Sequence, residues 1–125
     1  MIKVDVTSPS PPYEQVRAQL AELIGCGVLE AGARLPPVRQ LAADLGLAAG
    51  TVARAYKELE QSGHVTAKRG DGTRVLPQSK PWVARADLIR RHASVYLAEV
   101  IRLGGSAEEA LAALREAAGD PTIPT

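Results

Sequence analysis

The sequence predicts a mainly α fold with a small β-hairpin. Three observations carry that expectation. Apolar residues recur at helical spacing in three successive stretches between residues 12 and 61. The period then shortens to that of a strand over residues 64–76, on either side of a Gly-rich centre. Beyond a short stretch holding Ser and Pro, two further helical patterns fill residues 82–118.

The chain starts with an irregular segment, because Ser8-Pro9-Ser10-Pro11-Pro12 continues neither strand nor helix. Val16, Leu20, Leu23 and Ile24 then mark one face of a first helix. Glu14 sits in its first turn, where the helix dipole favours an anion, and Gly25 and Gly27 end it. Gly32-Ala33-Arg34-Leu35-Pro36-Pro37 reads as a turn into a second helix, with proline at the first positions. Val38, Leu41, Ala42 and Leu45 form its apolar stripe, and Gly46 closes it. A very short turn leads to a third helix from about Gly50 to Gln61, with Val52, Ala55, Tyr56 and Leu59 inward. His64 to Lys68 reads as a strand, Arg69-Gly70-Asp71-Gly72 as a hairpin loop, and Thr73 to Leu76 as the return strand. Helix, helix, helix, hairpin is the order of a winged helix-turn-helix.

Pro77-Gln78-Ser79-Lys80-Pro81 reads as a linker to a C-terminal helical hairpin. Its long helix runs from about Trp82 to Leu103 and its second to about Ala118, with Ala110, Leu111, Leu114 and Ala117 expected inward. Ser106 and Glu109 have the spacing of a capping box.

Composition excludes several functions. The chain has 125 residues, 46% of them hydrophobic, enough to build a core but too few for separate cofactor and substrate domains. One Cys, Cys26, makes no internal disulfide and no zinc pair, so it reads as a structural thiol, with redox sensing the alternative. The first residues hold no apolar stretch of a leader, and no run is long enough to cross a membrane, which points to a cytoplasmic protein. One Trp, three Tyr and no Phe make a poor stacking platform for single-stranded nucleic acid. There is no Ser/His/Asp set and no phosphate loop, so the chain does not read as an enzyme. No cofactor and no metal is expected, His64 and His92 being lone histidines.

The informative stretch is Leu35 to Val75. Small Ala42 lets the third helix approach the second, Gly46 permits the positive φ of a tight turn, and Val52 anchors the third helix from the turn side. The helices then cross steeply, leaving the third free to protrude into a DNA major groove. Here the sequence resembles the DNA-binding domain of the GntR family of bacterial transcription regulators. The matching residues are Pro12-Tyr13-Glu14-Gln15-Val16, then Gly32-x-Arg34-Leu35-Pro36-Pro37-x-Arg39-x-Leu41-Ala42, then Leu45-Gly46-Leu47. They continue with Gly50-Thr51-Val52-x-Arg54-Ala55-Tyr56-x-x-Leu59-Glu60-x-x-Gly63 and Arg69-Gly70-x-Gly72-Thr73-x-Val75. The short two-helix C-terminal part resembles the YtrA-like subfamily. The resemblance implies a regulator whose genes often encode transporters or membrane proteins.

The resemblance and the positions together imply roles. Arg39 matches the family's DNA-contacting arginine, for a phosphate or guanine, and Arg34 is a backbone contact. Thr51 and the helix N–H groups beside it meet a phosphate. Arg54 and Lys57 reach groove or backbone from the face away from Val52. In the wing, Lys68, Arg69, Gly70 and Thr73 match the family pattern, with Arg69 inserting into the minor groove where Gly70 allows close approach. Tyr13 adds a phosphate contact. The chain departs from many relatives at Ala48-Ala49-Gly50, which offer no side-chain hydrogen bond to a base, so reading leans on Arg39, Arg54, the wing and DNA shape.

Plainer readings stand beside these. Arg34 and Lys57 suit a solvated surface, Arg54 suits an ion pair with Glu58, and Tyr56 suits the core. Arg90, Arg91 and His92 suit a solvated helix face, with anion binding the alternative.

The expected organisation is a winged helix-turn-helix DNA-binding domain over residues 1–77 and a helical dimerisation domain over 78–125. A two-helix hairpin does not bury its own apolar face, so Leu88, Ile89, Val95, Tyr96, Val100, Ile101, Leu103, Leu111 and Leu114 are expected to meet a second copy. An intrachain cap is the alternative. The expected partners are double-stranded operator DNA and that second copy, without a membrane; a small-molecule effector stays open. The function expected is repression from a palindromic operator. The other class is a winged-helix protein–protein interaction module without DNA binding. The placed charge separates the two. The net charge is only +1, yet Arg34 to Arg74 holds seven Lys and Arg against four Asp and Glu.

Overall fold

The structure is a computed structural model describing residues 2–78 and 84–119. It contains α1 (Pro12–Gly25), α2 (Val38–Leu45), α3 (Ala49–Gln61), β1 (Val65–Lys68), β2 (Gly72–Val75), α4 (Arg85–Arg102) and α5 (Ala107–Ala117). The fold is thus mainly helical with one antiparallel hairpin. The chain divides into two compact units, residues 1–83 and 84–125. The expected helix start at Trp82 and most of the expected linker lie outside the described residues.

In the first unit the apolar stripes converge as the spacing requires. Val16, Leu20 and Ile24 of α1 meet Val52, Ala55, Tyr56 and Leu59 of α3, all buried. Leu41 and Ala42 of α2 join them, and Val65 and Val75 close the core from the hairpin. Leu23 and Leu45 pack against this core while partly exposed.

The turn between α2 and α3 has a specific cause. Gly46 takes the left-handed conformation, with φ 68° and ψ 33°. Its N–H donates to Ala43 O at 3.3 Å and the Leu47 N–H to Ala42 O at 2.9 Å. This satisfies two of the last carbonyls of α2 and turns the chain at once into α3. A side chain at Gly46 would strain that conformation.

Two findings depart from the sequence reading. Residues 32–35 were expected to be only a turn. They make an isolated antiparallel bridge beside β2: Leu35 N–H donates to Thr73 O at 2.8 Å, and Val75 N–H to Ala33 O at 2.8 Å. Arg34 is bridged to Arg74. Pairing across some forty residues leaves no local periodicity to read. The hairpin itself is shorter than expected. Its register runs from Val65 opposite Val75 to Lys68 opposite Gly72, so His64 and Leu76 lie outside the strands.

The start of the chain is tied to α1 by two side-chain amides. The Lys3 N–H donates to Gln19 Oε1 at 2.9 Å, and Gln19 Nε2 donates back to Lys3 O at 2.6 Å. Gln15 does the same with Asp5, at 2.7 and 2.8 Å. Four residues of helix advance roughly 6 Å and two of extended chain roughly 6.6 Å, so the amides match the strap's spacing.

In the second unit, the Tyr96 hydroxyl donates to Ala110 O at 2.9 Å, joining α4 to α5. Ser106 caps α5 by accepting from the Glu109 N–H at 3.2 Å. Leu88 and Ala110 are buried, whereas Leu111, Leu114 and Ala117, expected inward, are exposed. A stripe on a short helix defines an apolar face, but a two-helix hairpin supplies too little surface to cover it.

Candidate nucleic-acid interface

The helix-turn-helix leaves the start of α3 open. Its N-cap, Ala48, supplies no side-chain hydrogen bond; the Thr51 N–H donates to Ala48 O at 3.1 Å, and the Ala49 and Gly50 N–H groups before it stay available to an acceptor. Thr51 stands half-buried in that turn. Arg54 and Lys57 follow on the exposed side, while Val52, Ala55, Tyr56 and Leu59 face the core. Tyr56 is a core residue, as its spacing suggests. Its hydroxyl donates to Pro36 O at 2.6 Å, tying α3 to the residues before α2. Burial pushes that phenol up to about 12.

Arg54 is held. Its guanidinium carbon lies over the Tyr13 ring, and its Nε donates to Glu58 Oε2 at 3.3 Å. The helical pair with Glu58 was foreseen from spacing; the ring was not, because Tyr13 belongs to another element. Beside them, Arg17 makes two hydrogen bonds of 2.6 Å to Glu14, which hold the Glu14 carboxyl below its usual range.

The wing is clasped at its turn by Arg74. Arg74 grips Asp71 through Nε at 3.3 Å and Nη2 at 3.0 Å, and its Nη1 donates to Gly32 O at 3.1 Å. The hydrogen bond from Arg74 is the main cause lowering the Asp71 carboxyl's pKa. Arg74 was absent from the expected site and acts here as a structural clasp. Arg34 lies against Gly72: a Cβ on that glycine would fall 2.8 Å from Arg34 Nε. Lys68, Arg69 and Gly70 are exposed around the turn, and Thr73 is half-buried in β2.

The expected contact residues therefore separate into two kinds. Arg54 is held by neighbours, and Arg34 packs on the wing. Arg39, Lys57, Lys68 and Arg69 are exposed, and among the described residues their side chains have no hydrogen bond or ion pair. Such cations keep their whole donor capacity for a partner. Among the described residues no group of His, Cys, Asp and Glu gathers as metal ligands, and no helix is long and apolar enough to cross a membrane.

Residues 12–75 match the family described as bacterial regulatory proteins, gntR family. The chain belongs to the GntR family. Within it, the chain is similar to the HTH-type transcriptional regulator Rv1152 of Mycobacterium tuberculosis, 46% identical over 58% of this chain and 60% of that one. It is also similar to the HTH-type transcriptional repressor YtrA of Bacillus subtilis, 41% identical over 64% of this chain and 62% of the relative. Both matches thus span about three-fifths of those GntR relatives. Among solved structures, it resembles YtrA from Sulfolobus acidocaldarius, a GntR-family transcription factor. That likeness has a TM-score of 0.58 at 32% identity, over 78% of this chain and 97% of that one. These two YtrA relatives bear out the resemblance to the YtrA-like subfamily.

Proposed function

We propose that this chain is a DNA-binding transcriptional repressor that binds a palindromic operator as a homodimer. The observation that carries the reading is the set of unengaged cations: Arg39 at the start of α2, Lys57 on α3, and Lys68 and Arg69 on the wing. In this reading α3 enters the major groove and the wing the minor groove. Arg39 contacts phosphate or guanine, Arg54 and Lys57 reach groove or backbone, and Thr51 with the uncapped start of α3 takes a phosphate. Arg34 and Thr73 steady the backbone contact, and Gly70 lets Arg69 approach closely. The protein works in the cytoplasm, where its operator is.

The apolar face of the second unit supports the dimer. Ile89, Val95, Ile101, Leu103, Leu111 and Leu114 are each about half exposed or more in the single chain. A second copy would cover them and set two recognition helices roughly 34 Å apart, one helical turn of DNA. A dimer in sedimentation at micromolar concentration, converted to monomer by Ile101→Glu, is the expected result.

The test of function is selection of bound duplexes from a random pool at stated salt, followed by anisotropy titration. Binding should weaken linearly on a log–log salt plot, and Arg39→Ala should weaken it sharply while the fold survives. Absent or salt-independent duplex binding would favour a protein–protein interaction module instead.

A further inference from the structure

An apolar cleft in the first unit shares only Arg34 with the interface described above. It encloses about 470 Å³, a size usual for small-molecule sites. Leu20, Leu29, Leu41 and Leu45 line it, and Ile2 contributes from the strap that Gln19 holds at Lys3. The charged residues of the lining are Arg34 and Asp44. Both are exposed, and among the described residues neither side chain has a hydrogen bond or ion pair.

That lining is selective. The leucines favour an apolar body. An anion alone would meet Arg34 but be repelled by Asp44, and a cation alone the reverse. A molecule carrying both charges next to an apolar body satisfies every part. We propose that the cleft binds a small zwitterion of the aliphatic α-amino acid class. Its carboxylate pairs with Arg34, its ammonium with Asp44, and its side chain lies among the leucines. Arg34 also packs on Gly72 of the wing, so occupancy competes with the wing for this side chain. An effect on DNA affinity rests on the proposed function; the binding itself does not.

The experiment titrates the full chain, without DNA, with L-leucine, isovalerate and isoamylamine, following leucine methyl resonances. Expected are saturable shifts at Leu29 and Leu45 with L-leucine, and binding about tenfold weaker for each analogue lacking one charge. Asp44→Asn, an exposed change whose folding circular dichroism checks, should weaken L-leucine about tenfold and no longer disfavour isovalerate. No saturable shift with L-leucine, equal binding of isovalerate to the wild type, or an unaffected Asp44→Asn would each overturn the proposal. L-leucine binding by a chain that binds no duplex would support the site and overturn the proposed function instead.

Discussion

The guanidinium carbon of Arg54 lies 3.6 Å from the centroid of the Tyr13 ring, joining the middle of α3 to the first turn of α1. With Glu58 Oε2 also 3.3 Å from its Nε, the arginine has two neighbours that favour one placement before any partner arrives. A free arginine loses about 2 kcal/mol of rotamer freedom when immobilised, so fixing it beforehand favours binding. Tyr13→Ala is therefore expected to weaken duplex binding about tenfold, while Tyr13→Phe, which keeps the ring face, stays near wild type. Anisotropy titrations of both variants, with circular dichroism to confirm the fold, test this. Stronger binding by Tyr13→Ala would mean that the ring restrains Arg54 rather than presenting it.

Gly72 is a second point where two elements meet. Its φ is 79°, and a Cβ there would press on Arg34 at Nε and Nη2, 2.8 and 3.1 Å away. Gly72→Ala is expected to cost about 1 kcal/mol from backbone strain, with a smaller part from displacing Arg34. Urea denaturation separates the two. In an Arg34→Ala background the clash is gone and the strain remains, so Gly72→Ala should cost less there. Equal costs in both backgrounds would remove Arg34 from the account.

The three helical stripes of the first unit were legible because burial on one helix face dictates a spacing, and Val16, Leu20, Val52 and Leu59 obey it. Gly46 was legible because a three-residue turn demands a positive φ. The pairing of residues 32–35 with β2 was not: Pro36-Pro37 and Gly32 look like turn chemistry, and the partner strand is remote in sequence. The hydrogen bond from Arg74 to Gly32 O is illegible for the same reason, since it spans 42 residues. On α5 the stripe of Leu111 and Leu114 was visible, but a stripe does not state what covers it. The basic residues of the expected interface could be named from sequence. Which of them are held and which are unengaged needed the fold.

Tyr56 gives a stability prediction. Its hydroxyl donates to Pro36 O at 2.6 Å from a buried position. Tyr56→Phe should cost about 1 kcal/mol, read in the thermal midpoint. There is also an alkaline signature. Burial raises the phenol from 10.0 to about 12 in the folded chain. Above about pH 10 the unfolded chain loses this proton first, so stability falls with rising pH up to about 12. Between pH of about 9 and about 11, the thermal midpoint of the wild type should fall further than that of Tyr56→Phe. Parallel declines would place the alkaline sensitivity elsewhere.

His64, where α3 gives way to the hairpin, titrates in the opposite sense. Its Nδ1 lies 2.6 Å from Ser62 Oγ, a hydroxyl that also lies within hydrogen-bond distance of Leu59 O, at 3.1 Å. Burial first, and then the charge of Arg17, lower the imidazole pKa below its ordinary 6.5. The unfolded chain thus takes up a proton before the folded one does. Stability is full above about 6.5 and declines as pH falls from there through the folded value. His64→Gln should flatten that decline between about pH 7 and about pH 5.5, measured by thermal midpoints. Arg17→Gln gives the complementary result by removing the second cause: the His64 Cε1–H resonance should titrate at a higher pH than in the wild type. An unchanged titration would leave burial as the whole cause.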